Sequence, residues 1–139
     1  MDKFYKKQNL KIIPTDGGAV LHAYIKDNPD KIDIHEVYFS TIQYSQIRGW
    51  KKHNFMTINL IVPIGEVRVH LVREDSSKQG FTRDEVILSQ SPYFRLTVPP
   101  GIWFAFEGLS ISDSLICNIA NLEHDPKEVS RKDYNSFFN

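Results

Sequence analysis

The 139-residue chain is short of nearly every feature that names a function class at once. It has a single cysteine, Cys117, so no intramolecular disulfide and no cysteine-based zinc site can form, a pattern that fits a reducing compartment. No run of about 18 uninterrupted apolar residues occurs. The opening MDKFYKKQNLKII has no apolar core of signal-peptide length. A cytoplasmic protein without a membrane segment is the expectation. Neither sign of charge is in excess, with 17 Lys+Arg against 17 Asp+Glu. A chain without a global field has no general attraction to nucleic acid or to an anionic membrane, and neither is expected as a partner. There is no Gly-rich phosphate loop and no internal repeat. Cys117 lies within the apolar run LICNIA, where a thiol is inert rather than nucleophilic.

What the chain has is a succession of short β-forming runs. Leu10 to Ile13, Ala19 to Ile25, Ile32 to Phe39, Met56 to Ile64, Glu66 to Arg73, Glu85 to Leu88, Tyr93 to Val98, Ile102 to Phe106 and Leu115 to Ala120 are rich in branched and aromatic residues. Gly, Pro, Asn, Asp and Ser punctuate them, as in the breaker run 26–30, the polar loop 74–80 and Pro99-Pro100-Gly101. Val67, Val69 and Leu71 alternate with Arg68 and His70, the clearest period-2 signal in the chain. No helical segment separates the runs, so the expected architecture is an all-β barrel or sandwich built as one domain over 1–139. The tail from Pro126 to Phe138 predicts a short helix, with Asp125 as N-cap, Pro126 at N1 and Glu128 at N3. Several strands carry apolar residues on both faces, which suits a domain that also packs against a second copy of itself, and a homodimer is expected.

The stretch from Arg48 to Gly65, RGWKKHNFMTINLIVPIG, joins a basic entry to an uncharged β run. Together with Pro99-Pro100-Gly101-Ile102-Trp103-Phe104 it resembles the RmlC-like cupin enzymes of nucleotide-sugar metabolism, the dTDP-4-dehydrorhamnose 3,5-epimerases and the dTDP-sugar 3,4-ketoisomerases. The epimerases carry Arg-Gly-Leu-His-Tyr-Gln and later a Pro-x-Gly turn with a histidine; the ketoisomerases carry Arg-Gly-x-His-x-His and a similar turn. The resemblance covers roughly Ile12 onward, and Glu36 to Ser40 matches the preceding strand. It implies a cupin-type double-stranded β-helix, or jelly roll, closed by the short C-terminal helix. It also implies a nucleotide-sugar ligand and proton abstraction beside a ketone. The departures are pointed. Lys51 stands at the families' first histidine, Phe104 at the histidine of the turn, and Asn118 where the epimerases' acid tyrosine falls. His53 corresponds to the epimerases' glutamine or to the ketoisomerases' second histidine.

Abstracting a proton beside a ketone needs a base of near-neutral pKa and a donor to the enolate oxygen. His53 has a suitable ordinary pKa, whereas Lys51 needs its own lowered by burial or by neighbouring cations such as Arg48 and Lys52. Strand parity puts Lys51 and His53 on one face and Lys52 on the other. Either could be the base; either could equally be a polar residue at a barrel mouth. Arg48 offers a planar fork for a diphosphate, or a structural ion pair. Asn59, with Thr57, shares the parity of Lys51 and His53 if register continues through the turn, and Asn118 poses the same choice between ligand and structure. Tyr44, Trp50, Tyr93, Trp103, Phe104 and Phe106 are candidate stacking surfaces. Tyr93 with Arg95, two residues on, is the best pairing of stacking with a cation outside the opening stretch. Of the usual cupin metal ligands only His53 is retained, so neither a metal nor any other cofactor is expected.

Two readings follow. One is a metal-independent isomerase or epimerase acting on a nucleotide-linked 4-keto sugar for surface polysaccharide synthesis. The other is a cupin that kept the sugar pocket but lost catalysis and now binds or assembles.

Overall fold

The structure is a computed structural model that describes residues 3–26, 31–75, 77 and 80–138. Residues 27–30 of the breaker run and residues 76, 78 and 79 of the polar loop therefore fall outside the described residues. Twelve strands occur among the described residues: β1 (Lys6–Asn9), β2 (Ile12–Thr15), β3 (Gly18–Leu21), β4 (Glu36–Ile42), β5 (Ile47–His53), β6 (Ile58–Ile64), β7 (Val67–Asp75), β8 (Gly80–Leu88), β9 (Phe94–Val98), β10 (Trp103–Gly108), β11 (Ser114–Ala120) and β12 (Val129–Arg131). Ten of them form two five-stranded sheets, ordered β1-β9-β6-β11-β4 and β12-β5-β10-β7-β8, and β2 pairs with β3 as a separate hairpin. All pairings are antiparallel, and apart from the β2–β3 and β7–β8 hairpins neighbours in space are distant in sequence, the jelly-roll arrangement.

Alternation along the strands explains how the sheets face each other. Ile58, Leu60 and Val62 of β6, Val67, Val69 and Leu71 of β7, and Phe94, Leu96 and Val98 of β9 turn inward and form the main core. Each sheet's other face is also covered. Ile61, Tyr93, Cys117 and Ile119 of the first sheet are packed by Leu10, Ile12 and Leu21 from the β2–β3 region. Trp50, Val72, Trp103 and Ala105 of the second are packed by Phe137 and Phe138. Two-sided burial is why these strands show few clean polar faces in the sequence.

The tail differs from the expected helix. Pro126–Glu128 and Tyr134–Phe137 are single 3₁₀ turns, with β12 between them. The N-cap survives on this smaller scale, since Asp125 accepts from the Lys127 N–H at 3.0 Å. Helix growth is forfeited because Val129, Ser130 and Arg131 pair instead with His53, Lys52 and Lys51. A ladder on the open edge of β5 supplies more hydrogen bonds than one further helical turn could.

β5 carries the irregularity that shapes the barrel mouth. Phe104 and Ala105 are consecutive on β10, yet they face Lys51 and Gly49, so Trp50 is an extra residue in the ladder. This β-bulge turns the strand and changes which side chains share a face. It also needs a glycine, because a Cβ built on Gly49 would meet Ala105 Cβ at 2.4 Å and Ala105 Cα at 2.8 Å.

Candidate active site

Between the sheets, at the end where β5 and β12 meet, lies a cavity of about 500 Å³. Its floor is apolar, made by Ile58, Leu60, Ile116, Phe104 and Phe106; its polar groups come from Tyr38, Ser40, Arg48, Lys51, His53 and Asn118, with Arg131 and Lys132 of the tail. The parity argument for Lys51 and His53 holds, and Lys52 lies on the opposite face with its Nζ 4.9 Å from the Trp103 ring centroid. Simple alternation would have put Arg48 with Lys52. The bulge at Trp50 brings it to the cavity instead, where its Nη2 donates to Ser40 Oγ at 3.4 Å.

His53 is buried, 6% exposed, and its Nδ1 is held by the carboxylate Oε1 of Glu128. The other carboxylate oxygen of Glu128 accepts from the backbone N–H groups of Asn54, Phe55 and Met56 at 3.1, 3.0 and 3.2 Å. Burial alone would raise the Glu128 carboxyl. The hydrogen bonds from His53, Phe55 and Met56 outweigh it and hold the group below the ordinary glutamate value, so it is ionised at neutral pH. An ionised acceptor on Nδ1 leaves Nε2 as the imidazole's lone-pair nitrogen, the arrangement a general base requires. Phe104 stacks on the ring, with centroids 5.7 Å apart and planes 15° apart, and fixes its orientation from the β10 side. The turn Pro99-Pro100-Gly101 closes the same end, the Gly101 N–H donating to the His53 carbonyl at 2.8 Å.

Lys51 is half-buried beside His53. Burial, then the guanidinium groups of Arg131 and Arg48, hold its amine below the usual lysine value. Arg48, rather than Lys52, is thus the segment's own contribution, and Arg131 had no signal in the local sequence. Asn118 lies inward on β11, donates to the Tyr38 hydroxyl at 2.8 Å, and accepts from the Asn59 N–H at 3.0 Å. Because its oxygen accepts from Asn118, the Tyr38 hydroxyl has its own proton to donate.

Three expected site residues lie elsewhere. Asn59 does not share the face of Lys51 and His53, because the turn 54–57 shifts the parity and Ile58 and Leu60 take the inward positions. Its side chain is instead satisfied by protein, donating to the Ile119 carbonyl at 3.0 Å and accepting from Thr97 Oγ1 at 2.6 Å. Tyr93 and Arg95 share a face as expected, but it is the outer face of their sheet. Tyr93 donates to the His22 carbonyl at 2.6 Å, Arg95 donates to the Ala23 carbonyl at 2.8 Å, and the guanidinium sits 5.5 Å from the Tyr24 ring centroid. The pair fastens the segment after β3 to the barrel. Glu128, Arg131, Lys132 and Tyr38 were not singled out as site residues, and the first three come from a tail read as a helix.

Among the described residues no group of three or more His, Cys, Asp or Glu side chains could hold a metal ion, and no helix is long and apolar enough to cross a membrane. No family model and no curated protein sequence matches the chain. Solved structures do. A dTDP sugar isomerase from Desulfovibrio desulfuricans is similar at TM-score 0.89 and 28% identity, over 95% of this chain and 85% of that one. QdtA, a sugar 3,4-ketoisomerase from Thermoanaerobacterium thermosaccharolyticum solved with TDP, matches at TM-score 0.78 and 20% identity over 97% and 92%. The chain has the RmlC-like cupin fold. A dTDP-4-dehydrorhamnose 3,5-epimerase from Bacillus anthracis, solved with TDP and pyrophosphate, shares that cupin fold at TM-score 0.82, with 17% identity over 96% and 81%. In this cupin, the cavity at the β5 end is bounded by the same Arg48-to-His53 segment that carries the sequence resemblance.

Proposed function

We propose that the protein is a metal-independent isomerase or epimerase of a nucleotide-linked 4-keto sugar, with surface polysaccharide synthesis as the destination of its product. The observation that carries this reading is the buried His53–Glu128 pair opening on a cavity rimmed by cations. A histidine held by an ionised carboxylate is a base, and a base facing an apolar floor suits removal of a weakly acidic C–H beside a carbonyl. His53 takes the proton through Nε2. The Tyr38 hydroxyl, polarised by Asn118, donates to the oxygen on which charge develops, whereas the resemblance places the epimerases' acid tyrosine at Asn118. Arg48 and Arg131 hold the diphosphate at the mouth, where their charge also steers an anionic substrate inward.

The test is incubation with TDP-4-keto-6-deoxyglucose in heavy water. Solvent deuterium appearing at a carbon beside the ketone, or carried to C4 as the ketone moves, is the expected result. TDP binding without exchange on several 4-keto sugars would overturn the reading in favour of a non-catalytic binder. Tyr38→Phe should keep TDP affinity and lower turnover by about 10²-fold or more.

The same reading includes a homodimer. β4 ends its sheet with Val37 and Phe39 exposed at 50% and 62%, and pairing with a second copy would cover the open ladder and both side chains. A monomer mass by light scattering at working concentration would contradict it.

A further inference from the structure

The chemistry assigned to His53 leaves Lys51 without a task, and the surroundings of Lys51 are unusual for a lysine that merely supplies charge. Its ladder partners are Phe104 on β10 and Arg131 on β12, and the bulge at Trp50 turns Arg48 onto the same face. Among the described residues no carboxylate lies within ion-pair distance of it. The neighbouring lysines differ: Lys132 pairs with Glu74 at 3.3 Å, and Lys52 lies over Trp103 on the outer face. Burial and the two guanidinium groups hold this amine below the ordinary lysine value, which enlarges its neutral, nucleophilic fraction. Along the strand its Cα stands about 7 Å from that of His53, on the same face. Two side chains so placed reach adjacent carbons of one sugar ring, the carbonyl carbon and its neighbour.

We propose that Lys51 is a covalent catalyst whose Nζ condenses with the ketone of the keto sugar to form an iminium, from whose neighbouring carbon His53 then removes the proton. This rests on the reading of the cavity as a 4-keto-sugar site. The Nζ lone pair forms the bond to the carbonyl carbon while the carbonyl electrons take a proton from the Tyr38 hydroxyl. The Tyr38 phenolate relays a proton from the carbinolamine nitrogen to the carbinolamine hydroxyl, which leaves as water as the nitrogen lone pair forms the cationic C=N; Tyr38 recovers its own proton when the iminium is hydrolysed. The C–H electron pair moves into that cation to form a neutral enamine as the proton passes to His53 Nε2. Reprotonation of a carbon regenerates the iminium, and water restores ketone and amine. No oxidant or reductant enters. The iminium is a far stronger electron sink than a neutral ketone, which accounts for a lysine standing beside the base.

The experiment begins with deuterium exchange by the unmodified protein on TDP-4-keto-6-deoxyglucose, which tests the site reading by itself. The same mixture is then treated with sodium cyanoborohydride, which reduces an iminium in preference to a ketone. The expected result is one nucleotide-sugar adduct per chain, mapped to Lys51, with matching loss of activity. Lys51→Arg keeps a long basic side chain in place but cannot condense; it should still bind TDP, form no adduct, and lose turnover by roughly three orders of magnitude. Undiminished exchange with no adduct, together with Lys51→Arg turnover within about ten-fold of the parent, overturns the iminium and leaves the site reading intact. Absence of both exchange and adduct overturns both.

Discussion

Glu128 holds His53 from 75 residues further along the chain, one carboxylate oxygen on the imidazole and the other on three successive backbone N–H groups of the turn after β5. The two tasks of Glu128 can be separated. Glu128→Gln keeps an acceptor for the turn but can present its NH₂ to Nδ1, which favours the wrong tautomer; turnover should fall about 10²–10⁴-fold with TDP affinity little changed. Glu128→Ala removes both contacts. Water can replace the acceptor at exposed Asn54 and Phe55 but not at buried Met56, so about 1–3 kcal/mol of stability should also be lost. Steady-state kinetics and urea melts read the two effects.

Arg131 faces Lys51 across the β5–β12 ladder and is one of the two cations that lower its amine. Removing a cation makes the charged amine easier to form, so Arg131→Ala should raise the Lys51 pKa. If the neutral amine is the active form, kcat/KM rises with pH through that value, and the acidic limb of the profile should move to higher pH. An unmoved limb would mean that Lys51 does not act as a neutral amine.

Stability should decline at both ends of the pH scale for identifiable reasons. Tyr5 is pushed up to about 12, first by burial and then by its hydrogen bond and proximity to the Asp84 carboxylate. A raised folded value means its contribution is complete below the ordinary tyrosine value, about 10, and is lost as pH rises toward the folded one. At the acid end, Glu74, Glu107 and Glu128 lie below the ordinary glutamate value because hydrogen bonds to them outweigh burial or add to nearby cations. Their contribution is complete above about pH 4.3 and fades as pH falls through the lower folded values. Tyr5→Phe should flatten the alkaline limb of a urea-midpoint profile and also weaken the acid limb, because Asp84 loses the hydroxyl that helps hold its carboxyl below the ordinary aspartate value.

Gly49→Ala should be among the most damaging small substitutions. Its methyl group would overlap Ala105 backbone and side chain, forcing β5 and β10 apart where the bulge aims Arg48 and Lys51. A loss of about 1–3 kcal/mol is expected, with a further rise in KM as the cations move. A thermal melt together with KM measurement checks both.

The fold was legible because its signals are local. Val67, Val69 and Leu71 announce an inward face by alternation alone, and Pro99-Pro100-Gly101 announces a turn. Half of the candidate site was legible for the same reason: Lys51 and His53 are two residues apart on one strand, and parity needs nothing more. Arg48 belongs to the site only because of a bulge, which depends on how closely β5 approaches Ala105 and leaves no mark on the alternation. Asn59 went astray because the turn 54–57 shifts the phase, and turn geometry is fixed by Glu128 from far along the chain. Arg95 read as a binding group because a cation near an aromatic has the same sequence signature whether it meets a ligand or the Ala23 carbonyl. The tail misled most, since Asp125-Pro126 is a sound N-terminal signal and nothing within the tail reveals an unpaired strand waiting beside it.

A ribosome making this chain delivers His53 long before Glu128. Until residues 128–131 clear the exit tunnel, β5 is the open edge of its sheet and its imidazole has no carboxylate. The nascent barrel therefore has most of its cup before its base is paired, and the strand bearing the base is meanwhile an edge open to mispairing with another chain. A chaperone that shields this protein would do most good at that strand, in the interval between the two halves of the dyad.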